Sequence, residues 1–182
     1  MTAEQILIGV AALVAGVLII VHIVRPLIGG SSRRAEVPEL PAEAREVPER
    51  FTIVPDAWQA KYVGTVVDDR RFYLHAAQLE SGPATVVFFW RNDGSFESVD
   101  VEPFSDRDDY DEALERHLAR LGSPSIGSIT VAPFAVEHEG ETVGFVPQEP
   151  DATDGDGIAS VRLLPADNIV YYWPWDGEGY DT

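Results

Sequence analysis

The chain contains no cysteine, which excludes disulfides, thiol nucleophiles and thiolate-held metals from its chemistry. It is almost without lysine, since Lys61 stands alone against twelve arginines. Positive charge of any kind is scarce: thirteen basic side chains face thirty-one acidic ones, for a net charge of −18. From residue 35 onward thirty acidic and ten basic side chains leave −20. Phosphate would be repelled along nearly every approach to such a surface, so nucleic acid is excluded as a natural partner. The same field keeps the body of the protein off anionic lipid. The acids are spread along the chain rather than grouped. That distribution fits solubility or salt adaptation, and it also fits a surface built to hold a basic partner.

Catalytic and metal-binding motifs are missing as well. The histidines at positions 22, 75, 117 and 138 show neither His-x-x-x-His nor His-Glu-x-x-His spacing, so a zinc hydrolase finds no support. There is no Gly-x-Ser-x-Gly elbow, no phosphate loop and no Gly-x-Gly-x-x-Gly run after a strand. The acidic stretch at 151–157 looks like a calcium loop at first. Aligned on that pattern, however, it places Ala152 at position one and Leu163 at position twelve, so both obligatory carboxylates are absent. It reads as a solvated loop. No metal and no cofactor are expected, and the chain is not expected to be an enzyme. His138, in a turn between Glu137 and Glu139, remains as the candidate for an acid–base site of unfamiliar type.

What the sequence has in quantity is a single apolar run. Residues 6–24 are nineteen positions without a charged side chain, and His22 is their one clearly polar member. A helix of that length rises roughly 28 Å, near the hydrocarbon thickness of a bilayer. It carries no polar stripe, which a helix on a soluble protein would need. The expectation is one transmembrane anchor over residues 1–28. Arg25, Arg33 and Arg34 flank its C-terminal side, whereas only the amino terminus and Glu4 lie on the other. Basic flanks stay cytoplasmic, so the remainder is expected at the cytoplasmic face of the cell membrane. A cleaved signal peptide would want basic residues before the run and a small-x-small site after it, and neither is there. The small residues Ala11, Ala15, Ala12 and Gly16 are spaced so that another helix can approach closely.

Residues 29–50 follow as a flexible Pro/Glu-rich linker. Gly-Gly-Ser-Ser-Arg-Arg leads into a stretch whose prolines and glutamates favour extended, solvated backbone. Residues 51–182 then have the length of one domain. Apolar patterning predicts strands at 63–67, 72–79, 85–90, 96–101, 128–136, 142–146, 159–164 and 168–173. The run at 85–90 is almost wholly apolar and suits a central strand buried on both faces. Asn92-Asp93-Gly94 and His138-Glu139-Gly140 read as tight turns. One amphipathic helix is predicted between Ser105 or Asp106 and Gly122. Tyr110, Ala113, Leu114, His117, Leu118 and Leu121 fall on its apolar face, which makes His117 a core or boundary residue. Strands without alternating helices predict an α+β fold with one mainly antiparallel sheet and one helix.

The C-terminus is the most unusual stretch, running Tyr171-Tyr172-Trp173-Pro174-Trp175-Asp176-Gly177-Glu178-Gly179-Tyr180-Asp181-Thr182. Two readings stand. The tail folds back so that Trp175 covers the edge of the core. Alternatively Trp173, Trp175, Asp176, Glu178, Tyr180 and Asp181 form an exposed aromatic–acidic strip, good chemistry for gripping arginine or lysine by cation–π contact and salt bridges. The functional expectation is an interaction or accessory module for a basic or membrane-associated protein, with an inhibitor or immunity-type binding protein as the alternative.

Overall fold

The computed structural model describes residues 40–105, 110–150, 157–166 and 168–181. The apolar run with Arg25, Arg33 and Arg34, residues 106–109 and the acidic stretch at 151–156 lie outside them. Among the described residues no helix is long and apolar enough to cross a membrane.

The compact unit begins at Leu40, inside the stretch expected to be linker. A 3-10 turn at Ala42–Arg45, entered from Pro41 in extended backbone, buries Ala44 completely. The Ala44 carbonyl accepts the Ala159 N–H at 2.7 Å, and Val47 packs against the core. Proline here bounds a turn that is tied to the domain through Ala44 and Val47. Composition alone suggested a free spacer, because these tertiary partners lie far along the chain.

Twelve strands and one α-helix follow among the described residues. They are β1 (Phe51–Ile53), β2 (Tyr62–Thr65), β3 (Arg71–Leu79), β4 (Gly82–Trp90), β5 (Phe96–Pro103), α1 (Tyr110–Arg120), β6 (Ser125–Ile126), β7 (Ile129–Val131), β8 (Phe134–His138), β9 (Glu141–Gln148), β10 (Ser160–Leu164), β11 (Ile169–Tyr172) and β12 (Tyr180–Asp181). Every recorded pairing is antiparallel. The strands divide into three sheets instead of the single sheet expected. One has the order β5-β4-β3-β2-β6, a second β12-β11-β10-β9-β8, and a two-stranded ribbon joins β1 to β7. Within the two larger sheets most neighbours are consecutive, so short turns do most of the connecting.

Two of those turns were legible in advance. At Asn92-Asp93-Gly94 the Asp93 carboxylate accepts the Ser95 N–H and hydroxyl at 2.8 and 2.6 Å, while Gly94 takes φ of +83°. These bonds hold the Asp93 carboxyl below its ordinary range. At His138-Glu139-Gly140 both Glu139 and Gly140 adopt positive φ, the geometry of a two-residue hairpin.

The two five-stranded sheets face each other across an aromatic core, which is why one sheet does not suffice: each has an apolar face that must be covered. Tyr73, Phe88 and Trp90 from the first sheet interlock with Phe134, Phe145 and Tyr171 from the second, and Phe51 of the ribbon fills one side. Ring centroids lie 5.1–5.7 Å apart in these tilted and edge-on contacts, the spacing aromatic quadrupoles favour. The buried Trp90 indole N–H donates to the Ala132 carbonyl at 3.0 Å.

Helix α1 covers the opposite face of the first sheet. Leu114, Leu118 and Leu121 pack on Tyr62, Val66, Phe72, Leu74, Val87 and Phe89. Strand β4 is thereby buried on both faces, as its unbroken apolar run predicted. The order through the molecule is helix, sheet, sheet.

Candidate functional site

An open concavity lies where the loop after β1 meets the β11–β12 hairpin. It encloses about 610 Å³ and is lined in part by Asp56, Trp58, Gln59, Asn168, Glu178 and Gly179. One wall is a turn set by Pro55-Asp56. The Asp56 Oδ1 accepts the N–H groups of Trp58 and Gln59, each at 2.6 Å. This Asx turn fixes the backbone beneath Trp58 and leaves its side chain in solvent, 92% exposed. Nothing packs over the indole.

The other wall is the turn at 176–179. Asp176 organises it by accepting the Glu178 N–H at 3.1 Å and the Tyr180 hydroxyl at 3.3 Å. Local desolvation and then the Asp176 carboxylate raise the Tyr180 hydroxyl above its ordinary pKa. Gly177 joins the two walls. Its carbonyl accepts the Val54 N–H at 2.9 Å, its φ is +94°, and a Cβ there would sit 2.5 Å from Val54 Cγ2. Only glycine meets both demands. A Cβ on Gly179 would in turn stand 2.6 Å from Gln59 Oε1 and 3.1 Å from Tyr171 Cζ, so this glycine keeps the groove open above Tyr171.

Below the groove two phenols are buried. The Tyr73 hydroxyl donates to the Gln59 carbonyl and ties the exposed turn to β3. Desolvation raises its pKa well above the ordinary value, with the nearby Tyr171 and Asp56 adding to the shift. Desolvation likewise raises Tyr171, whose hydroxyl has no hydrogen-bond partner among the described residues.

The six residues nominated from sequence do not form one strip. Glu178 is exposed and lines the groove. Asp176 is exposed but serves the turn. Trp175 adopts φ of +59°, donates its N–H to the Tyr172 carbonyl and packs on the core, so it covers an edge as the first of the two readings expected. Trp173 is half-buried just past β11. Tyr180 stacks on Tyr172 with centroids 4.5 Å apart, and the Asp181 backbone pairs opposite Ile169. Sequence reasoning missed Asp56, Trp58, Gln59, Asn168 and Gly179. The Asp56 turn is local, but its meeting with a hairpin more than a hundred residues later was not readable from sequence.

A second polar constellation lies under α1. Thr85 Oγ1 and His117 Nδ1 share a hydrogen bond of 2.7 Å, and Asp100 Oδ2 stands 3.8 Å from His117 Nε2. Glu102 is 3.5 Å from Nδ1 and pairs with Arg120. The order Thr–His–Asp resembles a nucleophile, base and orienting acid. Thr85 is only 2% and His117 only 3% exposed, so no substrate reaches the hydroxyl. Burial lowers the His117 pKa against the opposing pull of Asp100. The cluster pins the helix to the sheet. His138, in its hairpin turn, is half-exposed; the neighbouring Glu137 carboxylate accepts the Thr142 hydroxyl at 2.8 Å. Among the described residues no group of three or more histidine or acidic side chains is placed to hold a metal.

The chain matches no protein-family model, no curated protein and no solved structure.

Proposed function

We propose that this chain is a single-pass membrane protein whose acidic α+β domain is an interaction module at the cytoplasmic face, taking a basic or membrane-associated protein as partner. The apolar run at 6–24 and the arginines 25, 33 and 34 support the anchor and its orientation. The observation that carries the interaction reading is the groove, where a 92% exposed tryptophan stands beside the carboxylates of Asp56 and Glu178. A solvent-facing indole leaves a large apolar surface uncovered, and interfaces are enriched in such residues. The charge of the domain directs the choice toward a cationic partner.

The test compares the tagged full-length chain in detergent with a chain beginning at Leu40, each used to capture proteins from solubilised native membranes. Both are expected to recover the same protein, with recovery lost in Glu178→Lys. Recovery by the full-length chain alone would place recognition in residues 1–39 and overturn the role of the domain. Trp175→Ala is unsuited to this test because Trp175 packs on the core.

A further inference from the structure

We infer that the groove between the Asp56–Gln59 turn and the C-terminal hairpin is a receptor for an arginine side chain presented by an extended segment of the partner. The inference rests on the interaction reading above and narrows it from basic protein to guanidinium.

The chemistry of the walls makes the choice. Trp58 offers a flat π-face that no other side chain covers. Asp56 spends Oδ1 on two backbone N–H groups, and that same use holds the carboxylate in place with Oδ2 outside those bonds. Glu178 supplies a second carboxylate on the facing wall. Among the described residues neither acid is paired with an arginine or lysine of this chain. Two carboxylates that share a groove with an open aromatic face match a planar cation that stacks and hydrogen-bonds at its edge. Guanidinium does both, and is weakly enough hydrated to leave water for such a site. Ammonium is compact, strongly hydrated and cannot stack. The acids set an anion or a wholly apolar ligand at a disadvantage, and the donor set is too small for a metal. At about 610 Å³ the groove exceeds one side chain, which leaves room for the peptide carrying it. The turn bonds of Asp56 and the Val54–Gly177 bond hold both walls in place before a ligand arrives.

The experiment titrates ¹⁵N-labelled full-length chain in detergent micelles with two peptides, Ac-Gly-Arg-Gly-Arg-Gly-amide and its lysine counterpart, at physiological ionic strength. The Trp58 indole N–H resonance, assigned by its loss in Trp58→Ala, is the readout. The arginine peptide is expected to shift it and to bind about fivefold more tightly than the lysine peptide. Trp58→Ala and Glu178→Gln should each weaken the arginine peptide by about fivefold or more, followed through the Gly179 amide. Both changes fall on exposed side chains and spare the bonds that hold the turns. Equal binding of the two peptides, or arginine binding indifferent to Trp58→Ala, overturns the receptor. If partner capture nonetheless survives in both variants, the interaction module stands and works through another surface. Arginine binding at the groove with no partner captured by the wild-type chain would support the receptor and sink the module instead.

Discussion

Strand β3 carries His75 into the core between the rings of Tyr73 and Phe88, each 5.5 Å away. The side chain is 7% exposed, and neither ring nitrogen has a hydrogen-bond partner among the described residues. Burial lowers its pKa from 6.5 to about 4, so the folded protein holds it neutral. On acidification the unfolded chain takes up the proton first, near 6.5, while the folded state refuses it until about 4. Stability is therefore complete above pH 6.5 and falls through that window at about 1.4 kcal/mol per pH unit. Between pH 7.5 and 5.0 the loss comes to about 2 kcal/mol, and by pH 4 it approaches about 3 kcal/mol. His75→Leu, close in volume, removes this term and two unsatisfied polar atoms together. At pH 7.5 the variant is expected to match or exceed the wild type by about 1 kcal/mol. At pH 5.0 its advantage should have grown by a further ~2 kcal/mol. Urea unfolding of the chain from Leu40, followed by tryptophan fluorescence at several pH values, measures the difference. Taking variant minus wild type cancels the titration of His117 and of the many carboxylates. A difference constant to within about 0.5 kcal/mol from pH 7.5 to 5.0 would refute the argument, because it would mean that His75 is solvated or partnered in solution.

Gly177→Ala forces a Cβ onto Val54 at a φ of +94° and is expected to cost about 2 kcal/mol in urea unfolding, while a loss under ~0.5 kcal/mol would show that the walls are not locked there. Trp58→Ala, on a side chain 92% exposed, should change the unfolding free energy by less than about 0.5 kcal/mol, and a larger loss would mean that the indole is packed in solution. Trp90→Ala, fully buried between the sheets, should cost about 3–5 kcal/mol, seen as a lower denaturation midpoint. Thr85→Val strands the buried His117 Nδ1 and should cost about 1–3 kcal/mol; combined with His117→Leu the losses should fall short of their sum, and strict additivity would deny the bond.

Much of the local structure was legible because it is written in short-range chemistry. The apolar run of β4 announced a strand buried twice over, and it lies between α1 and the second sheet. Asn92-Asp93-Gly94 announced a turn, and the Asp93 carboxylate makes it. Apolar spacing placed His117 on the inner face of the helix, where it is buried. Three short strands, β1, β6 and β12, escaped notice because two or three residues carry no period. The predicted strand at 128–136 is interrupted at Ala132-Pro133, and its halves serve different sheets. Proline cannot donate to a ladder, so the position of the break was available; the change of partner was not.

The sequence by itself determined what depends on neighbours along the chain: strand and turn positions, the helical face, the acidic field, and the absence of thiol chemistry. Tertiary structure alone decided which aromatic residues are spent on packing and which are left for use. In the stretch richest in aromatics Tyr171 went into the core and Trp175 onto its edge, whereas Trp58 stayed in solvent. Nothing in the composition of the two segments separates these fates. Burial is set by which surfaces meet, and the loop after β1 meets the C-terminal hairpin through the Val54–Gly177 bond, a contact between segments far apart in the chain.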